Sequence, residues 1–234
     1  QMCIRDSIKA AKEVILSGGA VNSPHILQVS GIGPSDHLIN IGINVVHHLP
    51  GVGANLQDHY VARVSHRVRH AKSINSLSRG TNLLKEIAIW AFSGKGALTF
   101  GVTSAMVFSR SREGLSSPDL QLLFKPASYS ERTLGKLEQE DGMTVAVCPV
   151  RPASRGTIMA VSSDPFVRPE IRPNYLSDPD DVRVLLAGIH QTREIFSQPA
   201  LQRYSSKETA PGMQIQTSEA VSYTHLRAHE TRED

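Results

Sequence analysis

Two groups of residues in this 234-residue chain have types and spacing that could do chemistry. The first is Ser17-Gly18-Gly19-Ala20, which closes a short apolar run, Val14-Ile15-Leu16. Side chains this small let the backbone come close to a neighbouring group, and glycine reaches conformations closed to other residues. The second is the set of ten histidines. His47 and His48 are adjacent in a strand-like stretch and point to opposite faces. His66 and His70 are four apart in an extended segment, where side chains four apart do not adjoin as they would on a helix. Cys3 and Cys148 are the two cysteines, with no CxxC spacing. The pattern argues against a metal site and against a disulfide framework. Asn55, Gln57, Asp58 and His59 form a compact polar cluster, and buried polar side chains must find partners.

The surrounding patterns predict what holds these residues. Val14-Ile15-Leu16 is apolar on successive positions, which predicts a strand buried on both faces. Ser23 and Pro24 predict the start of a helix, as cap and first position. Ile26, Leu27 and Ser30 share one face of it, and Gly31 predicts its end. A second short helix is expected over 34–43 and a short strand near 44–48. "GVGANL" (51–56) has no third glycine and no strand–helix setting, so it reads as a turn rather than a phosphate loop. Alternating segments at 60–70, 103–109, 119–125, 143–150 and 156–162 predict a largely antiparallel sheet. Helices are expected over 83–96 and 177–198. In the second, Ser177 or Asp178 caps, Pro179 lies near the first position, and Asp180 and Asp181 suit the positive end. Val182, Leu185, Leu186, Ile189 and Phe196 form its apolar stripe. Arg151, Arg155 and Arg168 are expected to hold turns.

The bulk composition narrows the function. The chain carries 25 basic and 22 acidic residues, net +3, and 40% hydrophobic residues. That is ordinary for a globular protein with a sizeable core. "RVSHRVRH" (63–70) is the densest basic stretch, and its alternation suits one solvated strand face. Nucleic acid is therefore not an expected partner. No apolar run approaches the ~20 residues that cross a bilayer. The expected location is cytoplasmic, or peripheral to the inner membrane.

Residues 19–33 carry a more specific pattern. Gly19, Ala20, Ser23, Pro24, Ile26, Leu27, Ser30, Gly31, Ile32 and Gly33 fill every constrained position of a signature of the glucose-methanol-choline (GMC) oxidoreductase family, and the chain resembles that family. "LPGVGANLQDHY" (49–60) resembles its lead into the substrate domain. "RPASRG" (151–156) and "RPNYLSDPDDVRVLLAGIHQTREI" (172–195) resemble its choline-dehydrogenase-like members. The likeness covers about residues 12–212, with Gly18 standing where many members have Ala.

The resemblance implies a fold of the α+β / α/β class. It is part of a Rossmann-like FAD-binding domain plus a mostly antiparallel-sheet substrate domain with helices. It implies FAD as cofactor and a small-molecule alcohol as substrate, oxidised at its CH–OH group by hydride transfer to flavin. Ser17, Gly18, Gly19 and Ala20 are the expected cofactor neighbours, at the carboxyl end of their strand. No catalytic residue is assigned, because the family's histidine base is expected beyond residues 207–212. The sequence names neither the alcohol nor the electron acceptor. The alternatives are a flavin-containing hydroxynitrile lyase of the same fold, or a non-enzymatic binding module built on 60–170.

The organisation read from the sequence has five parts. Residues 1–7 and 221–234 resemble translated adapter DNA and are expected to be a non-native leader and tail. Residues 8–59 are expected to be part of the FAD-binding domain, and 60–175 the substrate domain. Residues 176–220 are expected to return toward the first. The native part is expected to be an internal fragment of a longer protein, inactive alone.

Overall fold

Asp178 begins the longest helix by accepting a hydrogen bond from the Asp180 backbone N–H at 2.8 Å, while Pro179 takes the first position. This is one of several elements in a computed structural model that describes residues 8–130, 133 and 135–212. In chain order they begin with α1 (Gly19–Val29), β1 (Ile32–Gly33), α2 (Ser35–Asn40) and β2 (His47–His48). Then come β3 (Ala62–Val68), α3 (Ile74–Leu77), α4 (Gly80–Ser93), β4 (Ala105–Ser109), β5 (Leu120–Lys125) and β6 (Gly142–Pro149). The last are β7 (Thr157–Met159), β8 (Glu170–Arg172), α5 (Pro179–Ser197), α6 (Pro199–Gln202) and β9 (Ser205–Ala210). The chain divides into two units, 1–57 with 155–174 and 58–154 with 175–234.

In the first unit β1 and β2 pair in parallel, and β7 and β8 pair antiparallel. Gly31 ends α1 with φ +85°, and a Cβ there would lie 2.5 Å from the Asn44 carbonyl oxygen. Only glycine fits both constraints. The fully buried Gln28 ties α1 to β7. Its Nε2 donates to the Ile158 carbonyl at 2.9 Å, and its Oε1 accepts the Ala160 N–H at 2.8 Å. Residues 50–53 form a turn, from which the Gly53 carbonyl accepts the Ile158 N–H at 2.7 Å.

Two expectations fail in this unit. Val14-Ile15-Leu16 makes no ladder, and Val14 and Ile15 are 76% and 78% exposed. A strand needs a neighbour's backbone, and no described residue pairs with this run. Helix α1 also starts at Gly19, earlier than the Ser-Pro pair suggests. Ser23 Oγ instead accepts the Gly18 N–H at 3.1 Å, and Pro24 lies inside the helix.

The second unit is an antiparallel sheet of order β4-β5-β6-β3-β9 with α5 against one face. Ala62, Val64, Leu120, Leu122, Met143, Val145 and Val147 pack with Val184, Leu185, Ile189 and Phe196 of the helix. Burial of these side chains contributes ~1.5–3 kcal/mol for each large one. Gly188 lets α5 approach, since a Cβ there would lie 2.4 Å from Val147 Cγ1. The observed buried stripe is Asp181, Val184, Leu185, Gly188, Ile189, Thr192 and Phe196, so Val182 and Leu186 flank it. Helix α4 starts at Gly80 and ends at Gly94, which is left-handed at φ +64°.

The sheet gains and loses one strand relative to expectation. Segment 156–162 supplies β7, which pairs with β8 in the other unit. Gly156 permits that course: a Cβ there would lie 2.1 Å from the Arg172 carbonyl oxygen. The polar β9 takes the edge beside β3, with register shifts along the pair.

Candidate functional site

Ser17, Gly18, Gly19 and Ala20 lie together, exposed, at the amino end of α1. The N-cap residue Gly18 has no side chain to cap that end, and its own N–H is taken by Ser23 Oγ. The first turn of a helix presents N–H groups without intrahelical partners and a partial positive charge. Gly19 has φ +76°, and nothing lies within 4 Å of where its Cβ would be. Glycine is needed there for conformation, and the space beside it is open. At Gly18 a Cβ would crowd Asn22 Cβ at 3.0 Å. The tetrad therefore exposes main chain to a group in solution, with no long side chain in the way. That fits an anionic or dinucleotide group approached by backbone.

Asn55, Gln57, Asp58 and His59 are exposed rather than buried, and Asp58 and His59 find partners. Asn55 takes the left-handed conformation at φ 62°. The Asp58 carboxylate accepts a short hydrogen bond from the Tyr175 hydroxyl, and its other oxygen accepts the His59 N–H at 2.9 Å. Burial and then Asp58 push the Tyr175 phenol up to about 12. His59 Nε2 lies 3.1 Å from the Val150 carbonyl oxygen. Arg151 Nη1 donates to the Ser117 hydroxyl at 3.2 Å, 34 residues away.

Sequence reasoning missed three buried polar centres. Asp181 is not only a dipole partner: it is buried, and its carboxylate accepts the Ala153 and Ser154 N–H groups at 2.7 and 2.8 Å. Gln28, which no sequence pattern singles out, is the second, buried and bonded to Ile158 and Ala160. His66 is the third. Its Nδ1 lies 2.7 Å from Ser205 Oγ, its Nε2 3.8 Å from Glu208 Oε2, and its ring 4.2 Å from that of Phe196. Glu208 is buried and holds Arg193 through two bonds of 3.0 and 2.7 Å. Burial lowers the His66 pKa, against the pull of Glu208 and with the push of Arg193. A hydroxyl, an imidazole and a carboxylate thus meet, but they are sealed inside the sheet–helix layer and the carboxylate is neutralised by Arg193. The cluster pins β9 to β3 and α5. A signal existed in "SSKETA": a charge pattern on a strand with period two puts Glu208 on the face of Ser206 and Ala210, opposite Ser205, so only the register shifts bring both to His66.

Among the described residues no three His, Cys, Asp or Glu side chains converge as metal ligands would. No helix among them is long and apolar enough to cross a membrane.

The helix, turn and sheet described above define a class. GMC oxidoreductase profiles match residues 1–61 and 152–231, and the chain belongs to the GMC oxidoreductase family. It is 39% identical over 218 residues to human mitochondrial choline dehydrogenase, covering 91% of this chain and 36% of that one. It is 40% identical over 220 residues to an oxygen-dependent choline dehydrogenase of Staphylococcus saprophyticus, covering 93% and 39%. A formate oxidase structure from Aspergillus oryzae superposes with a TM-score of 0.80 at 24% identity, over 94% of this chain and 43% of that one. An FAD-dependent oxidoreductase from Chaetomium thermophilum gives 0.75 at 24%, over 94% and 44%. These likenesses show the shared mixed helix and antiparallel-sheet fold. The chain spans 36% and 39% of the length of the two choline dehydrogenases.

Proposed function

We propose that this chain is part of an FAD-dependent oxidoreductase that oxidises the CH–OH group of a small-molecule alcohol, with choline-dehydrogenase-like chemistry. The observation that carries the reading is the pair of family matches flanking a sheet unit, with 39% identity to choline dehydrogenase across nearly all of the chain. When bound, FAD supplies the hydride acceptor. In this reading the first unit belongs to the cofactor domain and the second to the substrate domain. Ser17, Gly18, Gly19 and Ala20 hold the cofactor through main chain: their size keeps the approach open, and the amino end of α1 favours a negative group. Residues of this chain orient and enclose, and none is assigned as the proton acceptor. The lyase and the binding module are not favoured, because the named relatives are dehydrogenases and oxidases.

The test is the product of the whole gene that contains this sequence. A stoichiometric flavin spectrum and conversion of an alcohol to its carbonyl product are expected. A flavin-free protein would contradict the reading, as would cyanohydrin cleavage without oxidation. The 234-residue chain alone is expected to bind FAD weakly or not at all.

A further inference from the structure

On the face of the sheet turned away from α5, two cations have no carboxylate partner among the described residues. Residues directly opposite in an antiparallel pair share a face. Arg63 and Leu123 both stand opposite Ala146, and Ser65 and Lys125 both stand opposite Thr144. These alternate with the core residues Ala62, Val64, Leu122, Val145 and Val147, so they lie on the other side. Arg63 Cζ is 5.8 Å and Lys125 Nζ 5.9 Å from the centre of the Tyr129 ring. Between the two cations β6 places Thr144 and Ala146, both buried. Further along the same face of β3, Arg67 shows how the fold neutralises a charge, with Glu138 at 3.1 Å and Glu140 at 3.0 Å. Among the described residues no carboxylate stands within ion-pair distance of Arg63 or Lys125. Burial, and then the Arg63 charge, hold the Lys125 ammonium below its usual range.

We propose that Arg63, Lys125 and Tyr129 form a binding site for a small oxyanion, a carboxylate or phosphate, and that the alcohol substrate carries that group. Two like charges facing one aromatic ring repel each other, and an anion that bridges the exposed Arg63 and the half-buried Lys125 offsets that repulsion with charge-assisted hydrogen bonds. Arg supplies a planar fork and Lys a point charge, a combination suited to oxyanions. The same face disfavours a quaternary ammonium, so the substrate differs in charge from choline. The inference rests on the proposed function only in calling the ligand a substrate.

The experiment is a calorimetric and amide-NMR titration of the 234-residue chain with glycolate, inorganic phosphate, ethylene glycol and choline, with flavin content measured separately on the complete gene product. At least one anion is expected to bind and to shift the Thr144 and Ala146 amides, while ethylene glycol and choline do not. Arg63→Gln/Lys125→Gln is expected to weaken binding by about tenfold or more, the scale of a lost charge-assisted bond, and Arg63→Lys to keep much of it. Should the double variant fail to fold, the exposed Arg63→Gln alone gives the same comparison. Binding of neither anion overturns the site, as does undiminished binding by the variants or choline binding at these residues. A complete gene product without flavin, together with intact anion binding by this chain, speaks against the proposed function and leaves the site standing.

Discussion

The side-chain amide of Gln28 donates to the main-chain carbonyl of Ile158, 130 residues away, and the same amide accepts from Ala160. One side chain thus satisfies a carbonyl and an N–H on one edge of the β7 segment from inside α1, in a fully buried position. Gln28→Leu keeps the volume and leaves a carbonyl and an N–H without partners. The expected cost is about 2–4 kcal/mol, from ~1–3 for each unsatisfied group less some relaxation. Urea denaturation gives the magnitude. Hydrogen exchange at Ala160 should speed up selectively, and an unchanged Ala160 rate would refute this role.

The buried Glu208 is held by Arg193 from α5. Removing one partner of a buried pair leaves an uncompensated charge, which costs ~3–5 kcal/mol. Arg193→Leu is expected to approach that range. The double variant Arg193→Leu/Glu208→Leu should recover most of the loss, because neither charge then remains. A double-mutant cycle in urea checks the coupling, and simple additivity would argue against it.

Acid should unfold the second unit in two stages. His66 has its pKa lowered by burial from an ordinary 6.5, so below that value the unfolded chain binds the proton more readily than the folded one. Stability is complete above pH 6.5 and falls as pH drops toward the folded pKa of His66. Burial tends to raise the Glu138 carboxyl, but the Arg67 and Ser128 hydrogen bonds win and lower it. In the same way Ser73 and Ser76 lower Asp141 against its burial. Their contributions are present above the ordinary 4.5 and 3.8 and are lost as pH falls through the folded values. Denaturation midpoints measured across pH should show the first loss in wild type and not in His66→Phe.

Gly188→Ala sets two effects against each other. Alanine in a helix interior gains about 1 kcal/mol over glycine. Its Cβ would meet Val147 Cγ1 at 2.4 Å and Leu120 Cδ2 at 2.8 Å. Overpacking of this kind costs ~1–3 kcal/mol, and both contacts lie in the fully buried centre, so net destabilisation is expected by thermal unfolding. A stabilised variant would mean that α5 can lift from the sheet at little cost.

What the sequence made legible depended on how local the signal was. Helix α5 is written in contiguous residues: Asp178 and Pro179 at its start and an apolar stripe behind them. Strands β4 to β6 show as alternation, and Gly31 as a helix stop. The family likeness of 19–33 is equally local. The choice of partner is not local. Alternation in 157–159 cannot say whether β7 joins β6 or β8, and Val14-Ile15-Leu16 reads as a strand although no described neighbour pairs with it. The buried polar centres at Gln28, Asp181 and His66 escaped because each takes its meaning from residues 27 to 139 positions distant. At the candidate site the small tetrad was visible, whereas the open space beside Gly19 emerges only from the fold, as does the approach of Arg63 and Lys125 to the Tyr129 ring.

The central claim is that this chain belongs to a flavin-dependent alcohol oxidoreductase. The most direct measurement is the visible flavin band of the complete gene product, followed without oxygen as a primary alcohol is added. The account predicts that the band bleaches to the reduced form as carbonyl product appears in equal amount. A bound flavin that stays oxidised with every alcohol offered, neutral or anionic, would contradict it.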